Sequence, residues 1–141
     1  MRACLVLSLL LLFPAGDWVP GAQAPAPRAQ AFEVTEATIA RIHEAMRGGR
    51  LTCRALVEAY LARIDAHDTR GAAINAIVQV NADALRTADD LDGRFRAGGL
   101  AGPLHCVPMI VKDNFETIGL QSAAGSLALQ GFVSDRDAFL V

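Results

Sequence analysis

Lys112 is the residue of this chain whose type and neighbours most directly suggest chemistry. It follows the apolar run Met109 to Val111 and precedes Asp113. A lysine accepts a proton at neutral pH only where burial keeps its amine uncharged, and an apolar strand leading into it would supply that burial. On these residues alone, a lysine beside an aspartate at the end of a strand is usually a solvated charge. The local pattern makes Lys112 a candidate base and leaves a surface role open.

Two serines that follow the lysine are candidate nucleophiles. Ser122 and Ser126 lie close to Gly125, which gives the chain local flexibility. We expect neither serine to act as a nucleophile, because the rest of the sequence offers no second loop to supply oxyanion-hole amides. A structural role is the simpler interpretation for both.

The histidines, cysteines and acidic residues do not form a convincing metal site. His105 and Cys106 are adjacent, which places them poorly for binding one zinc ion. His43 and His67 lie on or beside predicted helices, at no ligand spacing from each other. The acidic residues at positions 89, 90 and 92 are interpreted as the solvated face of a helix. We therefore predict no metal and no cofactor.

Two helices joined by a short turn are predicted near the start of the domain. Ile39, Ile42 and Met46 recur at helical spacing, and the glycines at 48 and 49 end that helix. Thr52 then caps a second helix that runs to about Ala66. Such a short glycine turn indicates an antiparallel helical pair.

A strand, a helix and a second strand are predicted to follow this pair. Ile74 to Val80 is short and rich in residues that favour strands. Asn81 can cap a third helix, which ends at the glycines 98 and 99, and Met109 to Lys112 is the next predicted strand. This order predicts an α/β fold in which the helical pair precedes the start of a mixed β-sheet flanked by helices.

Length and composition indicate one modest domain behind an export signal. The 141 residues carry a formal net charge of -2, which gives no reason to expect nucleic acid or an anionic membrane as a partner. Arg2 precedes the apolar stretch Leu5 to Phe13, and two A-x-A cleavage patterns follow. That stretch is too short for a stable membrane span. We predict a signal peptide and a Pro/Ala linker over residues 1–31, a domain over 32–141, and export to the periplasm or the exterior.

Two cysteines remain after removal of the signal. Cys53 and Cys106 could form a disulfide in an oxidising compartment, or each could be buried separately as a small apolar residue. Separate burial is the favoured interpretation, since free cysteine is often buried.

The block Gly102 to Asn114, GPLHCVPMIVKDN, resembles the Gly-Pro-Leu-His-Gly-Val/Ile-Pro and Lys-Asp-Asn pattern of amidase-signature enzymes. The helical pair, Ile74 to Ala76 and Ser122 to Ser126 match the same layout, so the resemblance covers nearly everything after residue 34. Cys106 departs from the glycine usual in that pattern, which removes the close backbone approach that glycine permits.

This resemblance implies amide hydrolysis through a Ser-Ser-Lys triad, with a small-molecule amide as the substrate. The lysine corresponds to Lys112, and the resemblance places both serines beyond Val141. A capping pattern from Ser134 to Asp137 also announces a helix of which only four further residues are present. We therefore interpret the chain as the N-terminal part of an amidase domain, inactive by itself.

Three other interpretations compete with this one. One is a short exported protein that keeps the fold and binds a ligand without catalysis. Another is a helix-turn-helix DNA-binding protein, suggested by the arginines near the glycine turn but disfavoured by the export signal and the near-neutral charge. Within the family, the tRNA-amidating enzyme is disfavoured because that work is cytoplasmic. The sequence leaves the oligomeric state open.

Overall fold

Thr38 begins the first helix of the structure, a computed structural model that describes residues 32–141. The Thr38 hydroxyl accepts a hydrogen bond from the Arg41 amide at 3.2 Å, and helix α1 runs over Ile39–Arg47. The helix ends at the predicted glycines, where Gly49 has a φ of 66° that glycine adopts without strain. The first helix is confirmed, whereas the predicted signal and linker over 1–31 lie outside the described residues.

The second helix begins at its predicted cap and changes form near its end. Thr52 accepts a hydrogen bond from the Ala55 amide at 3.0 Å, and α2 spans Cys53–Arg63. A π-helical turn, Ile64–Thr69, continues it, and the chain leaves through Gly71. A β-carbon at Gly71 would lie 2.4 Å from the Ala66 carbonyl oxygen, so this exit requires glycine.

The third helix, α3, spans Ala84–Gly98 and packs against α2. The Asn81 side chain accepts a hydrogen bond from the Asp83 amide at 2.9 Å just ahead of it. Gly99, with a φ of 81°, follows the last turn, as predicted from the glycine pair. All three predicted helices are therefore present.

The core of the described residues lies between these helices and one later segment. Leu56 and Cys53 are fully buried. The buried apolar cluster consists of Val34, Ile42, Ala45, Met46, Leu51, Cys53, Leu56, Ala88 and Cys106. Cys106 is the member of this cluster that comes from the block containing the lysine, so that block is attached to the helical core.

Neither predicted strand is formed within residues 32–141. Ile74 to Val80 is irregular because two of its amides bind a nearby side chain instead of a neighbouring strand. The Asp68 carboxylate accepts from the Ala76 and Ile77 amides at 2.6 and 3.2 Å. Met109 to Lys112 is also irregular. Pairing is limited to isolated bridges in the part of the chain that the structure describes. The helical part of the predicted α/β fold is thus observed, and the sheet stays a prediction.

The helix announced by the capping pattern near residue 134 is replaced by turns. The Ser134 hydroxyl accepts from the Arg136 amide at 3.3 Å, and the Asp137 carboxylate accepts from the Ile118 amide at 2.8 Å. Both side chains therefore hold a loop together instead of capping a helix. Among the described helices, none is long and apolar enough to cross a membrane.

Candidate active site

The segment that carries Lys112 leaves the helical core within a few residues. Cys106 is buried, but Met109 and Ile110 are 61% and 83% exposed, and Lys112 itself is exposed. The chain turns directly after the lysine, where the Lys112 carbonyl accepts from the Phe115 amide at 2.9 Å. The expected burial of the lysine by the apolar run before it is therefore not seen among residues 32–141.

Asp113 anchors this turn to the loop that contains the two candidate serines. Its carboxylate accepts from the Ala123 amide at 3.1 Å, and its carbonyl accepts from the Ala124 amide at 3.3 Å. The side chain and the backbone of Asp113 thus each bind one amide of this loop. Asp113, the residue directly after Lys112, is thus fixed to the downstream loop.

Ser122 is buried, and its hydroxyl donates to the Phe115 carbonyl at 3.2 Å. Its amide also donates to the Phe132 carbonyl at 3.0 Å. No hydrogen bond joins the Lys112 amine to a serine hydroxyl anywhere in residues 32–141. Within the described residues, Lys112 thus has no serine hydroxyl at hydrogen-bond distance, and the contacts of Ser122 agree with a structural role.

An ion pair closes the loop after the lysine. The Glu116 carboxylate accepts from the Arg136 guanidinium at 2.9 Å and from the Ser134 hydroxyl at 3.1 Å. The hydrogen bond from Arg136, with that from Ser134, holds the pKa of Glu116 below its usual value. Both charged groups reach solvent, so this contact contributes little energy and mainly defines the loop.

Cys53 and Cys106 form a disulfide whose Cα atoms are 5.2 Å apart. The favoured prediction of two separately buried thiols is wrong, because α2 starts beside the lysine-bearing block and brings the two residues together. Cys106 has a φ of 61°, the left-handed region that favours glycine. Glycine is also the residue found at this position in the pattern that the block resembles.

His105 lies against this disulfide. Its Nε2 is 3.8 Å from the Cys53 sulfur, and its Nδ1 accepts from the Ala101 amide at 3.4 Å. Its carbonyl is 3.0 Å from Nε2 of the buried His43. Burial, together with repulsion from His43, lowers the pKa of His105, and the favourable effect of Asp92 opposes this only in part.

Three potential ligand atoms, from Cys53, His105 and Cys106, lie within 4.8 Å of one another. A metal would need both sulfurs as thiolates, whereas here they are bonded to each other. The residues of this cluster are therefore arranged as a packed disulfide with a hydrogen-bonded histidine.

Asp92 is the most informative residue that sequence reasoning misassigned. The sequence predicts it on a solvated face, but it is buried, and its two oxygens accept from the Cys53 and Arg54 amides at 2.7 and 3.1 Å. It thus caps the N-terminus of α2 from α3, where a negative charge is favoured. The available signal was its position one turn after Ala88, on the buried side of α3.

The chain is similar in sequence to several known proteins of one family. The model of the Amidase family matches residues 55–141. An amidase-class protein of Schizosaccharomyces pombe is 39% identical over 118 residues, which cover 83% of this chain and 20% of that protein. A glutamyl-tRNA(Gln) amidotransferase protein of Alkalilimnicola ehrlichii is 41% identical, covering 75% of this chain and 21% of its own length. Mandelamide hydrolase of Pseudomonas putida is 39% identical, covering 74% and 20%.

Solved structures give the same result. The peptide amidase of Stenotrophomonas maltophilia matches with a TM-score of 0.68 and 42% identity, over 71% of this chain and 20% of that one. An amidase family protein of Bacillus anthracis matches with a TM-score of 0.71 and 31% identity, over 77% and 21%. The chain therefore spans about one fifth of the length of the proteins it is similar to.

Proposed function

Because the chain belongs to the amidase family, we propose that it supplies the catalytic lysine, Lys112, to an amide hydrolase that works through a Ser-Ser-Lys triad. The observation that carries this proposal is the Gly102 to Asn114 block, which lies inside the matched residues and ends in Lys-Asp-Asn. The two serines would come from residues after Val141 in the complete protein.

The role proposed for Lys112 is that of a base acting on a bridging serine. That serine passes on the proton from the nucleophilic serine, and the lysine later returns a proton toward the amine leaving group. The lysine must then be shielded from water. In the complete domain, we infer that Met109 to Val111 join a sheet whose other strands cover both this run and Lys112.

The exposed residues of the lysine segment support that inference. Met109, Ile110 and Val111 are apolar and mostly exposed in residues 32–141, although an extended apolar run of this kind is typical of a buried strand. Asp113, by contrast, is already fixed through its bonds to the next loop. Sheet formation would therefore bury the apolar run without having to rebuild the turn at the lysine.

A small amide is the proposed substrate class, and export the proposed location. The peptide amidase and the mandelamide hydrolase support the former, because both are named for the hydrolysis of amides. The disulfide supports the latter, because such bonds persist in oxidising compartments and are rare in the cytosol. The expectation of no nucleic-acid partner, which rests on the net charge, and the expectation of no cofactor, which rests on the spacing of the histidines and cysteines, belong to the same proposal.

Substitution of the lysine in the complete enzyme tests the assignment directly. Lys112→Ala should lower kcat by about three to six powers of ten, as loss of a triad member does elsewhere. Lys112→Arg should fail nearly as badly, because a guanidinium stays protonated and cannot act as a base. Turnover of an aryl amide is the measurement, with circular dichroism as the folding check.

Two controls make this test specific. Arg47→Ala removes one exposed positive charge from α1 and should leave kcat unchanged. The 141-residue chain alone should hydrolyse no amide above background, since it would lack the nucleophile. A folded Lys112→Arg enzyme that keeps a tenth of the wild-type rate would show that Lys112 is not the base.

Chemical labelling offers a second route, because Lys112 is the only lysine among these 141 residues. An amine-reactive reagent applied to this chain can therefore modify one side chain besides the terminal amine. In the complete enzyme, a peptide map would quantify labelling at Lys112 with and without a competitive amide inhibitor. We expect the inhibitor to protect Lys112, and unchanged labelling would argue against a lysine in the active site.

A further inference from the structure

We propose that the Cys53–Cys106 disulfide is a positioning cross-link that fixes the upstream end of the lysine-bearing segment. Cys53 is the first residue of α2, and Cys106 lies six positions before Lys112. The bond spans 53 residues of sequence and joins the helical core to the block. Its catalytic consequence rests on the proposed function, whereas its structural consequence does not.

Cys106 has a backbone conformation that its surroundings must maintain. A non-glycine residue with a φ of 61° is disfavoured and persists only where its surroundings hold it. The turn that contains Cys106 is closed by a hydrogen bond from the Val107 amide to the Leu104 carbonyl at 3.0 Å. The covalent bond to a fully buried cysteine of α2 is the strongest constraint on this residue.

His105, the residue before Cys106, packs against the helices beside the disulfide. The His105 ring lies on Phe95 of α3, with their centroids 5.9 Å apart, and its Nε2 approaches the Cys53 sulfur. The His105 carbonyl contacts the buried His43 of α1. Residues of α1 and α3 thus contact His105, the neighbour of Cys106, and the bond itself reaches α2, so this point of the block is tied to all three helices rather than to one.

Lys112 lies between the disulfide and Asp113. Beyond Cys106 the chain is mostly exposed until Asp113, which is bonded to the loop at Ala123 and Ala124. Lys112 therefore lies on a short span held at one end by the disulfide and at the other by Asp113. Removing the upstream anchor should widen the range of positions open to the lysine, and rate depends steeply on such positioning.

Two double variants separate the cross-link from the conformation of Cys106. Cys53→Ala with Cys106→Ser removes the bond and keeps a side chain at a left-handed position. Cys53→Ala with Cys106→Gly also removes the bond, but glycine adopts this φ without strain. The glycine variant therefore serves as the matched control. If the bond positions the segment, the glycine variant should recover part of the protection from exchange and part of the kcat that the serine variant loses.

The structural readout is hydrogen exchange in the complete enzyme, followed by mass spectrometry. Reduction with dithiothreitol, or the serine variant, should speed exchange of residues 101–108 at least tenfold, with a smaller change over 113–126. The glycine variant should fall between these and the oxidised wild type. Peptide mapping of alkylated protein should find Cys53 and Cys106 unmodified before reduction.

The catalytic readout is a split between kcat and KM. The kcat of the serine variant should be about tenfold below that of wild type, with KM within twofold of wild type. The glycine variant should recover at least half of this loss when kcat is compared on a logarithmic scale. Unchanged exchange and kcat in reduced enzyme and both variants would overturn the proposal. So would free thiols at both positions in the isolated enzyme, or a bound stoichiometric zinc ion. A wild-type enzyme without amidase activity would refute the proposed function, and the exchange data would still decide on the cross-link.

Discussion

The helical region, residues 38–99, and the lysine-bearing region, residues 100–141, differ in how well local sequence signals predict their structure. In the helical region, the Thr52 cap of α2 and the glycine stops of α1 and α3 lie where the sequence predicts them, and the apolar positions of α1, such as Ile42 and Met46, are buried. In the lysine-bearing region, predicted regular elements are replaced by turns and isolated bridges, and several large apolar side chains are exposed. Local signals are sufficient to locate the three helices of the first region, but they are insufficient for the segment 74–80 within it and for the elements predicted in the second region.

The difference follows from where each region finds its hydrogen-bond partners. A helix satisfies its backbone within the segment itself, so a cap and an apolar face specify it. A strand depends on neighbours that are distant in sequence, and its propensity reflects packing on a pleated surface. Residues 109–112 have no such neighbours in the described part of the chain, so their sequence alone does not make them a strand.

The largest expected contrast between the regions is in the cost of removing one apolar side chain. Leu56→Ala empties a fully buried site in the helical core and should lower the free energy of unfolding by about 2–5 kcal/mol. Ile110→Ala, at a site that is 83% exposed in the 141-residue chain, should change the free energy of unfolding of that chain by less than about 0.5 kcal/mol. Urea denaturation followed by circular dichroism compares the two.

Leu56→Val serves as a milder variant if the alanine substitution prevents folding. It should still destabilise the chain more than Ile110→Ala does. Equal effects at positions 56 and 110 would mean that the lysine-bearing region is packed as tightly as the helices, which would break the comparison.

A smaller effect is expected at Asp92, the cap that links α3 to α2. Asp92→Ala leaves the Cys53 and Arg54 amides without their acceptor and should cost about 1–3 kcal/mol of stability. Asp92→Asn retains one acceptor oxygen and should cost less. Asp90→Ala is the control, because Asp90 is exposed on the same helix, and a loss as large as that of Asp92→Ala would contradict the capping role.

The helices of this chain could be predicted from the sequence, whereas contacts between distant residues could not. Sequence reasoning located three helices, the Thr52 cap of α2 and the glycines that end α1 and α3, because those signals are local, and it singled out Lys112 through the resemblance of its block. It misassigned Asp92 and the cysteine pair, because both depend on contacts between residues 38 to 53 positions apart. It also predicted strands at 74–80 and 109–112, where the deciding contacts are with residues outside each segment.

The smallest expected effect is a pH dependence of stability that arises from His105. Burial, together with repulsion from His43 and Arg94, lowers the pKa of His105, while Asp92 raises it. The unfolded chain then binds more protons than the folded one between the lowered pKa and the unfolded value of about 6.5. The stability contributed by this histidine is therefore complete above about pH 6.5 and is lost as the pH falls toward the lowered value.

Thermal unfolding between about pH 7.5 and about pH 5 tests this sign. Wild type should lose stability over that range, and His105→Asn, whose side-chain oxygen can still accept from the Ala101 amide, should flatten the dependence. His67→Asn is the matched control, because His67 is exposed, and it should leave the dependence as in wild type. A wild-type slope that persists in His105→Asn would assign the effect to other groups. A slope of opposite sign would mean that His105 is protonated more readily in the fold than in the unfolded chain, and that its contacts with the disulfide favour the cation.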